Sequence, residues 1–397
     1  MLDQRQIATD IDGFIENLIA TAVNLSASDI HLQPEEDFGK IRLRIDGALV
    51  DKMQIRREYF DMLSSKIKLS CGMDISQKRM PQDKSVKYEA FPGIDFRVSS
   101  VPTILGEKIV IRILAVDIFM EKARLLGFSR ESKEKLERAI RKKSGIILMT
   151  GPTGSGKTTS LYALLEKLNK EDVNIITIED PVEYKIANIN QISINEKIGL
   201  TYPVILRSIL RQDPDIIMIG EIRDRQTAEI AIRAAITGHL ILSTAHTRDA
   251  FSGLIRLKDL GVDDYLIRSA VNLLAGQRLV RKLCDCKKLD RMTDFEYELM
   301  SSYIKVDRER KIYRPVGCPH CNGGYKGRQA VEEVMPIDNE FKDILRKYGL
   351  ESEKIKEKLK KDKFRPMLVN GLIQVLEGET SFEEVLDVLG YFPKLNL

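Results

Sequence analysis

No stretch of this 397-residue chain is apolar for long enough to cross a bilayer, and the N-terminus Met1-Leu2-Asp3-Gln4-Arg5 carries no signal-peptide pattern. Both absences point to a protein made and kept in the cytoplasm, with any membrane role supplied by a partner. Net charge is scarce too: 63 basic and 59 acidic residues leave an excess of only +4. With no basic stripe interleaved with aromatics, that balance argues against stable binding of nucleic acid. Cysteines number five, and in a cytoplasmic protein they are not expected to form structural disulfides. Internal repeats and low-complexity tracts are absent. What remains, 43% hydrophobic and 31% charged residues, is a globular composition too long for one core, so two or three domains are expected.

The first of these reads as a small α+β domain over residues 1–115. Apolar residues from Ile7 to Ala22 recur at helical spacing, and Ile41-Arg42-Leu43-Arg44-Ile45 alternates strictly before an Asp46-Gly47 turn. A second helix is expected from Tyr59 to about Leu69, with short strands near Val86–Phe91, Asp95–Ser100 and Lys108–Leu114. Residues 116–128 have no strong period and read as a connection. From 129 to 282 the pattern is strand–helix alternation. Strands near Asn174–Ile178, Asp215–Ile219 and His239–Ser243, with helices near Pro203–Arg211 and Thr227–Ala235 between them, predict a mostly parallel sheet covered by helices. Residues 283–330 form a cysteine region, and 331–397 a charged, helical C-terminal part.

Within the alternating region, Gly151-Pro152-Thr153-Gly154-Ser155-Gly156-Lys157-Thr158 matches the phosphate-loop pattern Gly-x4-Gly-Lys-[Ser/Thr] at every fixed position, and Thr159 continues it. The apolar run Ile146-Ile147-Leu148-Met149 leads in as a buried strand, and Leu161, Leu164, Leu165 and Leu168 lead out as a helix face. Backbone N–H groups at that helix start suit a nucleotide β-phosphate, Lys157 reaches the β- and γ-phosphates, and the Thr158 hydroxyl is placed to ligate Mg²⁺. The strand–loop–helix context outweighs a chance glycine-rich turn, so the chain is expected to bind a nucleoside triphosphate.

Such a loop needs a carboxylate at the tip of a neighbouring strand. Ile175-Ile176-Thr177-Ile178 runs into Glu179-Asp180-Pro181, and Ile216-Ile217-Met218-Ile219 runs into Gly220-Glu221. The division of labour between Glu179 and Glu221 is open on pattern alone. His239 and His246 flank Ile241-Leu242-Ser243-Thr244 and are both candidates to sense a γ-phosphate. Arg207 and Arg211 stand one helical turn apart and share a face.

Two cysteine pairs, Cys284-x-Cys286 and Cys318-x2-Cys321, fit a tetrahedral Cys₄ zinc site that staples a small subdomain in a structural role. Unligated reduced cysteines are the bland alternative, and His320 offers a nitrogen if one thiol does not reach. Cys71 reads as a small packed residue.

Four ordered segments resemble the Walker A, Asp, Walker B and His boxes of the secretion ATPases, the hexameric motors of type II secretion and type IV pilus assembly. They are Gly151–Thr159, Ile176–Tyr184, Leu206–Asp224 and Gly238–His246. The likeness extends upstream to Ala27-Ser-Asp-Ile-His31, Arg42–Gly47, Pro81–Asp83 and Pro102–Lys108, and downstream to Ala275–Cys284. It covers nearly the whole chain. The family usually carries two residues between its first two cysteines, where this chain has one.

The resemblance implies an α/β architecture with a RecA-like P-loop ATPase domain behind the small N-terminal domain, followed by a zinc-binding subdomain and C-terminal helices. It implies ATP and Mg²⁺ at the loop and a structural Zn²⁺ on the cysteines. Glu221 is then the general base, Glu179 orders water or Mg²⁺, and His246 or His239 senses phosphate. Arg97 and Arg112 of the first domain, with Arg207, Arg211, Arg223 and Arg256 of the second, become the cations that complete the site on domain closure. The partners implied are five further copies in a homohexamer and an inner-membrane platform protein, at the inner face of the cytoplasmic membrane. The cysteine pairs favour an assembly or secretion motor over a retraction motor. Larger members carry an extra N-terminal domain, and this chain is expected to start almost directly after it. A DNA-translocating or helicase-like motor and a non-catalytic nucleotide-binding scaffold are the alternatives. The charge balance argues against the first, and the intact Lys157, Thr158 and Glu221 against the second.

Overall fold

The computed structural model describes residues 3–115, 127–350 and 353–390, and the chain divides into two compact units, Met1–Glu121 and Lys122–Leu397. Most of the connection expected at 116–128 lies outside the described residues, as do residues 391–397.

The first unit is a six-stranded sheet of β1 (Ala27–Pro34), β2 (Phe38–Ile45), β3 (Ala48–Arg56), β4 (Gln82–Lys87), β5 (Ile94–Thr103) and β6 (Gly106–Ala115), in the order β3-β2-β1-β6-β5-β4. The helices Ile11–Asn24 and Arg57–Ser70 bury Phe14, Leu18, Phe60 and Leu63 against Ile30, Leu32, Ile41, Leu43, Phe96 and Ile111. Each such side chain contributes roughly 1.5–3 kcal/mol when fully buried, and this face holds the unit together. Asp46 and Gly47 both take positive φ, 49° and 87°, which matches the twist of a two-residue hairpin between β2 and β3. β1 and β3 are strands that the periodicity did not reveal. In β1 the residues Ile30, His31 and Leu32 are buried consecutively, so no alternation shows in the sequence.

The second unit is built on a seven-stranded sheet. Its strands are β7 (Gly145–Thr150), β8 (Ile175–Glu179), β9 (Asn190–Ser193), β10 (Ile216–Ile219), β11 (Leu240–Ala245), β12 (Val271–Leu283) and β15 (Tyr325–Pro336). A separate hairpin pairs β13 (Lys288–Arg291) with β14 (Lys311–Arg314). The main order is β15-β12-β7-β11-β10-β8-β9, parallel throughout except where β15 runs antiparallel to β12. β7, β8, β10 and β11 are buried at every position, as expected for parallel strands covered on both faces, and this explains their strongly apolar sequences. The sheet does not end near residue 282, where the sequence pattern changes. After the cysteine region the chain returns as β15, and the ribbon β12–β15 forms one flank of the unit. The helices Met367–Leu376 and Phe382–Leu389 follow, with Glu384 gripping Arg281 of β12 through its side chain and backbone N–H. No helix among the described residues is long and apolar enough to cross a membrane.

Candidate functional site

β7 ends at Thr150, and the loop that follows turns directly into the helix Lys157–Leu168. Gly156 caps this helix in the left-handed region at φ 85°, with no side-chain cap. Ser129, Asp224, Thr293 and Asp338 side chains close the starts of other helices of the unit, although Tyr202–Ile209 and Met367–Leu376 also lack a side-chain cap. The first N–H groups of the Lys157 helix are therefore left for a ligand, at the positive end of the helix dipole. Ser155 Oγ is buried without a hydrogen-bond partner, a second sign of a polar group expected from outside. Lys157 Nζ folds back to donate to the carbonyls of Gly151 (2.7 Å) and Pro152 (2.9 Å). Burial brings this ammonium down to about 8, against the pull of Glu221 and with Arg278 pushing the same way as burial. A cation held so near neutrality gains most when an anion arrives. Thr158 and Thr159 are half-buried at the same helix start.

Glu221 follows β10, one residue after Gly220. Ser243 Oγ donates to Ile219 O (2.8 Å) and Thr244 Oγ1 to Gly220 O (2.7 Å), so β11 fixes the path of the chain into Glu221. Glu221 is mostly buried and meets the Arg223 guanidinium on one oxygen and His246 Nε2 at 3.5 Å on the other. Arg223 also lies 3.9 Å from Asp180. Burial, then Lys157 and Arg223, lower the pKa of His246, while Glu221 raises it. Lys157, Glu221, Arg223 and His246 thus form one electrostatic group at the C-terminal edge of a parallel sheet, where open α/β sheets place ligands. Tyr202, missed in the sequence, stands behind it: its hydroxyl would lie 3.0 Å from a Cβ at Gly220. Its phenol is pushed up by burial and by Glu221 and Asp180. A side chain at Gly220 would thus crowd Tyr202 and the carbonyl of Ile178 at the end of β8.

Two expected site residues are placed otherwise. His239 precedes β11 at its N-terminal end, level with the start of β7 and with its Nδ1 3.0 Å from Ala234 O. Six residues of strand at about 3.3 Å each put it on the opposite edge of the sheet from the loop, so it does not sense phosphate there. Glu179 ends β8 on the right edge, but its carboxylate is buried and committed. It accepts hydrogen bonds from Tyr162, from Thr177 Oγ1 (2.6 Å) and from Gln191 Nε2 (3.1 Å). Tyr162 belongs to the phosphate-loop helix and Gln191 to β9, so Glu179 ties three elements together.

Among the arginines of this unit, Arg223 alone is paired with Glu221 among the described residues. Arg207, Arg211 and Arg256 are exposed, and Arg211 donates back to Arg207 O at 2.9 Å. In the first unit, Arg97 and Arg112 face each other across β5 and β6, and Arg112 Nε is 3.0 Å from buried Asp29.

The cysteines form a second site. Cys284, Cys286, Cys318 and Cys321 bring their sulfurs within 4.8 Å of one another. Sγ–Sγ distances are 3.9 Å for Cys284–Cys318, 3.9 Å for Cys286–Cys321 and 3.6 Å for Cys318–Cys321. A tetrahedron of zinc–sulfur bonds of about 2.3 Å has edges of about 3.8 Å, so the set fits. Cys318 N–H donates to Cys321 Sγ at 3.2 Å. The one-residue spacer is absorbed by a turn in which Lys287 N–H donates to Cys284 O, and the exposed His320 is not part of the cluster.

Comparison with known proteins agrees with this layout. Residues 4–387 match the family model described as Type II/IV secretion system protein. The chain is 44% identical over 380 residues to the type IV pilus assembly ATPase PilB of Acinetobacter baylyi, covering 94% of this chain and 65% of that protein. It is 40% identical over 377 residues to type II secretion system protein E of Aeromonas hydrophila, covering 94% and 74%. The chain thus spans between 65% and 74% of the length of these two relatives. Among solved structures, the ATPase DotB of Legionella pneumophila superposes with a TM-score of 0.70 at 21% identity over 94% of each chain. The pilus retraction motor PilT, solved with bound ADP, gives 0.64 at 24% identity over 95% of this chain and 97% of that one. At these identities the two structures speak to fold, and the fold is shared across both units.

Proposed function

The chain belongs to the Type II/IV secretion system protein family, and from that premise we propose that it is the ATP-hydrolysing motor subunit of a type IV pilus assembly or type II secretion machine. The observation that carries the reading is the group Lys157–Glu221–His246 beside an uncapped helix start. The loop 151–159 holds the phosphates through its backbone N–H groups and Lys157. Thr158 holds Mg²⁺, which supplies charge neutralisation at the β- and γ-phosphates. Glu221 takes the proton of the attacking water, and His246 reads the γ-phosphate from beside it. Arg223 now neutralises Glu221, so transfer of its guanidinium to a phosphate frees the carboxylate to act as base.

The remaining arginines, Arg97, Arg112, Arg207, Arg211 and Arg256, are groups brought to the phosphates when subunits of a homohexamer close. The four cysteines hold a structural Zn²⁺ with no open position for substrate. The domain limits read from the sequence are kept as part of this proposal, with the nucleotide-binding sheet taking β15 from beyond the cysteine region. A motor of such a machine would act on an inner-membrane platform protein from the cytoplasmic face of the membrane. The test is MgATP turnover by the purified chain and by Lys157→Ala, with mass in solution recorded with and without nucleotide. Turnover lost in the variant and a sixfold assembly support the motor. A wild-type chain that neither binds nor hydrolyses MgATP overturns it.

A further inference from the structure

Gln277 lies in β12, the strand next to β7, with Gly276 in register with Thr150 at the root of the phosphate loop. Its side chain is buried, only 2% exposed. A polar amide so placed is costly unless it has partners, and its partners here lie on the phosphate loop and its helix. Ser160 Oγ, one turn into the Lys157 helix, donates to Gln277 Oε1 at 2.7 Å. A Cβ at Gly156 would come within 2.7 Å of Gln277 Nε2, and a Cβ at Gly151 within 2.5 Å of Gln277 O. The Gln277 side chain therefore lies against the last glycine of the loop and anchors the helix behind it, while its backbone carbonyl lies beside the first glycine. Arg278 extends the contact: it donates to Gln277 O (3.0 Å) and to Arg248 O (2.6 Å), in the segment just after His246.

We infer that Gln277 is a positioning residue whose side-chain amide holds the phosphate loop in its binding shape through Ser160 and Gly156. The inference rests on the nucleotide reading above and deepens it. A phosphate loop binds through N–H groups aimed before the ligand arrives, and an unclamped loop must be ordered at the expense of affinity. Gln277 touches no phosphate; it acts through the loop.

The test is the affinity for a fluorescent methylanthraniloyl-ADP with Mg²⁺, measured for the wild-type chain, Gln277→Met, Ser160→Ala and the double variant. Methionine keeps the volume and removes the amide. Gln277→Met is expected to weaken binding about tenfold, the worth of one buried hydrogen bond and the order it imposes. Ser160→Ala shifts in the same direction, and the double variant is no weaker than Gln277→Met, because the two residues act as one unit. Tyr325→Phe is the stability control. It removes the Tyr325–Ser381 hydrogen bond (2.8 Å) at the other end of β12–β15 and should lower the melting temperature without changing affinity. Gln277→Met binding within about twofold of wild type overturns the clamp. So does a Tyr325→Phe chain that loses as much affinity as Gln277→Met. A wild-type chain without affinity overturns the nucleotide reading itself, and the clamp with it.

Discussion

His246 Nε2 lies 3.5 Å from Glu221 Oε2, across the ends of two neighbouring parallel strands. The other oxygen of Glu221 meets Arg223, and Lys157 is close enough to feel the carboxylate's charge. An acid, a base and two cations are thus concentrated at the end of one sheet, beside an uncapped helix start.

The commitment of Glu179 to Tyr162, Thr177 and Gln191 separates it from Glu221 in experiment. Glu179→Gln turns an amide toward two hydroxyl donors and costs about 1–3 kcal/mol. The melting temperature should fall by several degrees, roughly 2–4 °C per kcal/mol for a unit of this size. Turnover per folded molecule should stay within about tenfold of wild type. Unchanged stability with abolished turnover would return Glu179 to the catalytic centre.

Lys157 makes nucleotide binding pH-dependent. With its ammonium lowered to about 8 from 10.5, the unfolded chain binds more protons than the folded one between those values. Stability from this group therefore rises with pH across that window. Phosphates raise the folded value again. Binding of MgADP at pH 8 should take up about half a proton, falling toward zero by pH 7. Calorimetry in buffers of different ionisation enthalpy reads this directly. His246, lowered below 6.5, adds little in that range. Proton release at pH 8 would show that Lys157 does not receive the phosphates.

The cysteine cluster predicts about one zinc per chain by elemental analysis, released when thiols are mercurated in the presence of a zinc indicator dye. Cys286→Ser should lose the metal and lower the melting temperature, because the spacing leaves no fifth sulfur nearby. Retention of a full equivalent of zinc by Cys286→Ser would contradict the four-sulfur assignment.

The phosphate loop and Glu221 could be found in the sequence because each follows an apolar run, and His246 because it follows a largely apolar run broken only by Ser243 and Thr244. A buried parallel strand leaves such a run as its mark. Glu179 follows such a run as well, yet its partners Tyr162 and Gln191 come from elements that no local pattern connects to it. His239 and His246 look equivalent as brackets of one strand, and only strand direction separates the two edges of the sheet. β12 and β15 escaped for a related reason. They are buried on both faces but carry Asn272, Gln277, Glu332 and Glu333 inside, and these polar residues interrupt both the run and the alternation. Glu333 is buried because it accepts from the N–H groups of Ala250 and Met367, partners distant in sequence.

The central claim is that Glu221 acts as base on water at the nucleotide held by the loop. Steady-state MgATP turnover of Glu221→Gln beside wild type tests it most directly, with ADP affinity measured on both. The account predicts a loss of turnover of at least about 100-fold with ADP affinity nearly unchanged. A Glu221→Gln chain that hydrolyses ATP at the wild-type rate would contradict it.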